Sequence, residues 1–224
     1  LLLCVTWYIL FSRFESIRGW ALGDVLALYG VAAGGFGLSV VLFGGVGDLG
    51  QKIHSGGLDA LLTQPKSALL QAVCARSVAS GWGDIASGLV LVGLSGHLRL
   101  DSVMLVPLSM ALGSIVLVST GVILQSSVFW LGRVDSLAQQ AAHFLMLFST
   151  YPPSIFGGAL KLLLFTIVPA GFVSYLPVEL LRKFNWLDLV SCVAAAGIWS
   201  ALAAWVFARG LQHYESGNRF VVRV

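Results

Sequence analysis

Residues 24–43 read DVLALYGVAAGGFGLSVVLF, twenty residues whose only charge is Asp24 at the start. A helix rises ~1.5 Å per residue and a bilayer's hydrocarbon core is ~30 Å thick, so this is the length of one membrane crossing. Polarity does not alternate along the run, as it would in a strand of a membrane barrel. Backbone in lipid must satisfy its own hydrogen bonds, which leaves a helix. The run therefore sets the fold class, an all-α polytopic membrane protein. Gly30 and Gly34 lie four residues apart in it, with Gly35 and Gly37 close by. Small residues at that spacing let two helix backbones approach, so this face is a candidate helix contact.

The composition outside the run agrees. Of 224 residues, 58% are hydrophobic and 10% charged. Soluble domains carry roughly a quarter charged residues. With a mean hydropathy of +0.91, a water-soluble fold of this size has too little polar side chain to cover its surface. The net charge of +3 is dispersed, without the basic cluster that nucleic acid requires. Cys4, Cys74 and Cys192 stand singly in apolar stretches. An odd count with no CxxC spacing excludes both a disulfide framework and a zinc site, and leaves them as packing residues.

Working outward, the run Leu1–Phe11 is apolar but about half the ~20 residues a span needs, and reads as a first span truncated at its N-terminus. A polar patch, Ser12–Trp20, separates it from span two, Asp24–Phe43. A long polar connection, Gly44–Arg76, follows; Gly56-Gly57 breaks it, and Leu58–Leu62 reads as a short helical piece before Pro65. Span three is expected over Val78–Leu94 and carries Asp84. Asp101 and Ser102 are suited to cap span four, Val103–Leu131. Span five starts near Leu137 and breaks at Tyr151-Pro152-Pro153. The stretch 154–182 is apolar but interrupted by Gly157, Gly158, Pro169 and Pro177. Broken backbone at membrane depth must be covered by protein or line a cavity, so it is expected to be a re-entrant hairpin. Asn185 can cap the last span, Trp186–Phe207. The expectation is one membrane domain over residues 1–224, with six transmembrane helices and the hairpin before the last.

Orientation does not follow from charge. Lys52, Lys66, Arg76, Arg133, Arg209, Arg219 and Arg223 fall on one side; Arg13, Arg18, Arg99, Lys161, Arg182 and Lys183 fall on the other. Seven against six of the 13 basic residues does not apply the positive-inside rule. Asp84 is the intramembrane charge to explain, because a carboxylate at mid-bilayer costs ~2.5–3.5 kcal/mol on insertion scales.

Several short stretches, in order along the chain, resemble the ABC-2 type permeases, in particular a small six-span group. They are Gly19-Trp20; Ile53-His54-Ser55-Gly56-Gly57-Leu58-Asp59 with Leu62 and Pro65; Tyr151-Pro152 with Ile155-Phe156; Pro169; Tyr175-Leu176-Pro177; and Tyr214-Glu215-Ser216. The resemblance implies cytoplasmic termini in a prokaryotic inner membrane. It also implies a coupling helix in the loop after span two, which meets a cytoplasmic ATPase dimer. The permease pairs with a second permease, a copy or a related chain. The segment that precedes span one in that family has no counterpart here.

The chain has no GxxxxGK[ST] phosphate cradle, so ATP and magnesium belong on the partner ATPase, with no cofactor, metal or catalytic residue on this chain. Lys52, His54, Leu58, Asp59, Leu61 and Leu62 are the expected ATPase-coupling residues. Gly30, Gly34, Ser119, Thr120 and Gln125 are candidates for helix contact or the translocation path, with Ser126 beside them. Hydroxyls in spans also bond to their own helix. Tyr151, Pro152, Pro169 and Pro177 are the expected re-entrant turns. The alternatives are an ion-coupled secondary transporter, whose internal repeats and paired charges are not visible, and an intramembrane serine protease. The latter rests on Gly93-Leu94-Ser95-Gly96 and needs a Ser–His pair in reach.

Overall fold

Helix α2, Leu22–Phe43, stands at the centre of the molecule. The computed structural model describes residues 2–14, 16, 19–97, 103–132 and 134–214. Asp101, Ser102, Arg18, Arg99, Arg133 and residues 215–224 lie outside the described residues. The N-terminus of α2 is closed by Asp24, whose Oδ2 accepts the Ala21 amide at 2.8 Å. This satisfies one of the amides that a helix start leaves unpaired.

Before α2 comes α1, Leu2–Phe11. After it, the connection that reads as a loop is folded. A 3-10 turn, Gly44–Asp48, leads to α3, Leu49–His54, then α4, Asp59–Leu62, and α5, Ala68–Val73. Gly56 makes the turn between α3 and α4 with φ of +79°, a region L side chains avoid. Next are α6, Gly81–Leu94, and α7, Leu105–Ser126, which continues through α8, Val128–Leu131. Then come α9, Asp135–Ser149, and α10, Gly158–Thr166. A π-turn, Gly171–Tyr175, runs into α11, Leu176–Arg182, and α12, Trp186–Leu211, ends the described chain. Asn185 Oδ1 accepts the Leu187 amide at 3.1 Å and caps α12.

Three stretches of helix among the described residues are long and apolar enough to cross a membrane: 22–54, 105–131 and 186–211. Helix α10 and the segment 171–182 make a fourth if counted as one bent span, with a 75° angle between them. Helix α6 is apolar but only 14 residues long.

Helices α2 and α6 run antiparallel along a seam of glycines. Gly23, Gly30, Gly37 and Gly44 recur every seven residues. A Cβ on Gly30 would lie 2.7 Å from the Gly88 carbonyl oxygen, and one on Gly37 would lie 2.6 Å from that of Gly81. Gly23 faces the Ser95 carbonyl and Gly44 that of Arg76. Lipid tails give apolar helices no reason to associate, so close backbone approach has to supply the contact. The sequence reading saw the four-residue pair. Gly34 backs on Gly88 of the same seam while its open side faces Met110 of α7, and the closest approaches to α6 follow the seven-residue repeat.

Within the bent segment α10 is largely exposed, whereas the part from Pro169 to Leu181 is largely buried. Gly113 of α7 lies against the Val173 carbonyl. Ser174 Oγ donates to the Ser149 carbonyl at 2.5 Å, and the Tyr175 hydroxyl donates to the Phe148 carbonyl. The π-turn thus satisfies carbonyls that the end of α9 leaves open. Tyr151 and Pro152 follow that end, and Pro169 sits at the bend. Pro177 is a correction. It breaks nothing, since it lies in the first turn of α11 directly after the wide π-turn, where a missing N–H is tolerated.

Candidate functional site

The connection 44–76 forms one end of the molecule. Its apolar residues are buried in a core of their own: Leu49, Ile53, Leu58, Ala72 and Val73 join Val122, Val128, Ala203 and Phe207 from α7, α8 and α12. Leu58 is fully buried, which corrects its assignment as a partner-facing residue. A leucine preceded by Gly56-Gly57 turns inward to anchor α4 instead of outward to dock. Lys52 Nζ donates to the Ala72 carbonyl at 3.2 Å and binds α3 to α5. Asp59 Oδ1 accepts the Tyr214 hydroxyl at 2.9 Å. Burial, then the hydrogen bond and charge of Asp59, push the Tyr214 phenol up to about 12. Leu61 is partly buried, and His54 and Leu62 are exposed. Leu70 of α5 is 61% exposed and lies in the same small-helix unit. The sequence reading missed it, because the helix that carries it read as loop.

A groove of about 340 Å³ opens between α2, α7 and α9 near this end. Its wall is largely apolar, with Phe36, Val40, Leu117, Leu145 and Met146; Gln125, Gln139, His143 and Arg76 also line it. The Gln125 side chain is buried and its Oε1 has no partner. The Arg76 guanidinium is held by Asp48 at 3.0 Å.

Of the other candidates, Ser119 Oγ pairs with Ser200 Oγ of α12 at 3.2 Å, and Thr120 Oγ1 donates to the Val116 carbonyl of its own helix. Neither lines the groove; Ser119 makes a contact between helices and Thr120 bonds within its own. Gly30 and Gly34 are covered by α6 and α7, as helix contacts are. Ser126 is buried and its Oγ is unpartnered. Asp84 lies in the first turn of α6, where the helix dipole favours a carboxylate.

The opposite end holds a charged cluster that the sequence did not announce. Asp24 Oδ1 meets His97 Nε2 at 2.9 Å and Arg182 Nε at 2.8 Å. Arg182 also donates to Glu179 Oε1 at 2.7 Å and stands 5.3 Å over the Trp20 ring. Asp24 is 5% exposed, and a buried carboxylate persists only with such partners. The cluster ties the start of α2, the turn after α6 and the end of α11 together. The same geometry gives the protease reading no support. Ser95 Oγ donates to the Val92 carbonyl, and the His97 ring is on Asp24. Among the described residues no group of three His, Cys, Asp or Glu is placed to hold a metal.

Comparison with known proteins gives one family whose model, described as ABC-2 family transporter protein, matches residues 1–217. No curated protein and no solved structure matches the chain.

Proposed function

This chain belongs to the ABC-2 family of transporter proteins, a membrane transport component, and on that premise we propose that it is the permease subunit of an ATP-driven exporter. In this reading it crosses the membrane six times, pairs with a second permease, and is driven by a cytoplasmic ATPase dimer that carries ATP and magnesium. The chain lies in a prokaryotic inner membrane with both ends in the cytoplasm.

The observation that carries the reading is the build of the connection. Its short helices share a buried core with the ends of α7, α8 and α12, and α3 continues the long helix 22–54. A push on this unit moves several spans as one body, which a flexible loop could not do. The edge it leaves exposed, His54, Leu62, Lys66 and Leu70, offers two leucines and a lysine to a partner. His54, Asp59 and Lys52 then act at or behind that edge, with Leu61 beside it.

The test is affinity purification of the tagged chain from mild detergent with mass spectrometry. A P-loop ATPase should co-purify and be lost when Leu62→Glu and Leu70→Glu are combined, while the chain remains folded by size-exclusion chromatography. A chain that purifies without any ATPase in several mild detergents would sink the proposal.

A further inference from the structure

We infer that the groove between α2, α7 and α9 is a binding site, within a single chain, for a neutral amphiphile: a lipophilic molecule with one uncharged hydrogen-bonding group. The volume of about 340 Å³ falls at the lower end of small-molecule sites. The walls from Phe36, Val40, Leu117, Leu145 and Met146 suit an apolar body. Gln125 lines the groove, is 3% exposed, and leaves Oε1 without a partner. An unsatisfied buried amide oxygen is costly, and a turn of the Gln125 side chain that brings it to the groove wall would let a ligand hydroxyl or amide N–H satisfy it.

The charge of the ligand follows from what lines the groove. No carboxylate is among its described lining residues, so a cation finds no counter-charge. The lining guanidinium, Arg76, is already engaged by Asp48, so an anion finds none to spare. His143 adds a polar ring at the wall. Describing the occupant as cargo rests on the permease reading; binding does not.

The experiment uses the purified chain in nanodiscs of synthetic phosphatidylcholine. The probe is a diazirine-bearing hexadecanol, with the matching carboxylic acid and trimethylammonium as charged controls. After photolysis, the alcohol should label Leu117, Leu145 or Met146, and excess unlabelled hexadecanol should remove that label. Labelling of Trp205, exposed on α12, should not be competed. Gln125→Leu, which keeps the volume, should lower groove labelling about fivefold, the worth of one hydrogen bond, and leave Trp205 labelling unchanged. Competition by dioleoylglycerol would place the source of the ligand in the membrane; competition by 4-(hydroxymethyl)benzophenone would place it among compact soluble molecules. Groove labelling that is not competed in the unaltered protein, or that is equal for the alcohol and both charged probes, overturns the inference. The competition arm needs no variant and no ATPase, so it stands or falls apart from the exporter reading.

Discussion

Tyr214 and Asp59 stand 155 positions apart in sequence, and their hydrogen bond is where the end of the chain holds the connection. The phenol lies beyond the last residue of α12, outside the membrane. Its proton is retained to about 12 through burial and the bond to Asp59, against ~10 for a free tyrosine. A pKa raised on folding gives stability that is fully present below the unfolded value and is lost as pH rises through the folded one. The contribution is therefore intact below pH ~10 and gone above about 12. Tyr214→Phe should lower stability at neutral pH by about 1 kcal/mol. It should also flatten the decline in thermal midpoint between those two pH values, measured in detergent. A variant as stable as its parent at pH 8, or one with an unchanged alkaline decline, would show that the bond contributes nothing. The Phe129 ring at 6.2 Å still contacts the phenylalanine, so packing is largely kept.

At the scale of elements, the α2–α6 seam makes one substitution type carry opposite signs on one helix. A Cβ on Gly88 would lie 2.6 Å from the Gly30 carbonyl oxygen and 2.7 Å from the Gly34 nitrogen, both backbone atoms that cannot rotate away. A Cβ on Gly83 meets nothing within 4 Å. Gly88→Ala should therefore cost about 1–3 kcal/mol as the helices separate. Gly83→Ala should gain up to ~1 kcal/mol from helix propensity. Thermal unfolding of the two variants side by side checks this; equal effects would mean that the seam is looser than described. This seam also shows how far the sequence could be read. Span two was legible because the nineteen uncharged, unalternated residues after Asp24 admit one structure in lipid, and Asn185 was legible as a cap because capping is local. The glycine repeat was in view but its partner was not, since Gly81 and Gly88 acquire meaning only once α6 lies antiparallel to α2. The connection read as loop because its helices have at most six residues, too short for a periodic pattern. Leu58 looked like a docking residue because burial against α7, α8 and α12 is set by contacts distant in sequence. The Asp24–Arg182 pair was hidden for the same reason.

On the scale of the whole molecule, the glycine seam also measures thickness. Gly23 faces Ser95 at one end and Gly44 faces Arg76 at the other. The 21 residue-to-residue steps from Gly23 to Gly44 rise about 31 Å at ~1.5 Å each, which matches a hydrocarbon core of ~30 Å. Residues 76–95 must cover the same distance, although α6 proper has only 14 residues. The short helix thus matches the length of α2 beside it by using the extended turn before it. The cluster of Asp24, His97 and Arg182 then lies at one end of this length, and the connection with Arg76 and Cys74 lies at the other. Cys74 is a free, exposed thiol and Cys192 a buried one, so the chain carries its own probe of this arrangement. In a background of Cys4→Ala and Cys192→Ala, a membrane-impermeant maleimide added to intact cells should leave Cys74 unlabelled and should label it after permeabilisation. Lys183→Cys, placed next to the Arg182 cluster with Cys74→Ala, should be labelled in intact cells. Labelling of both sites from the same side would mean that the two ends of the α2–α6 pair do not lie at opposite membrane faces. Labelling of Cys74 from outside would put the connection out of reach of any cytoplasmic ATPase, and the coupling role assigned to His54, Leu62 and Leu70 would fall with it.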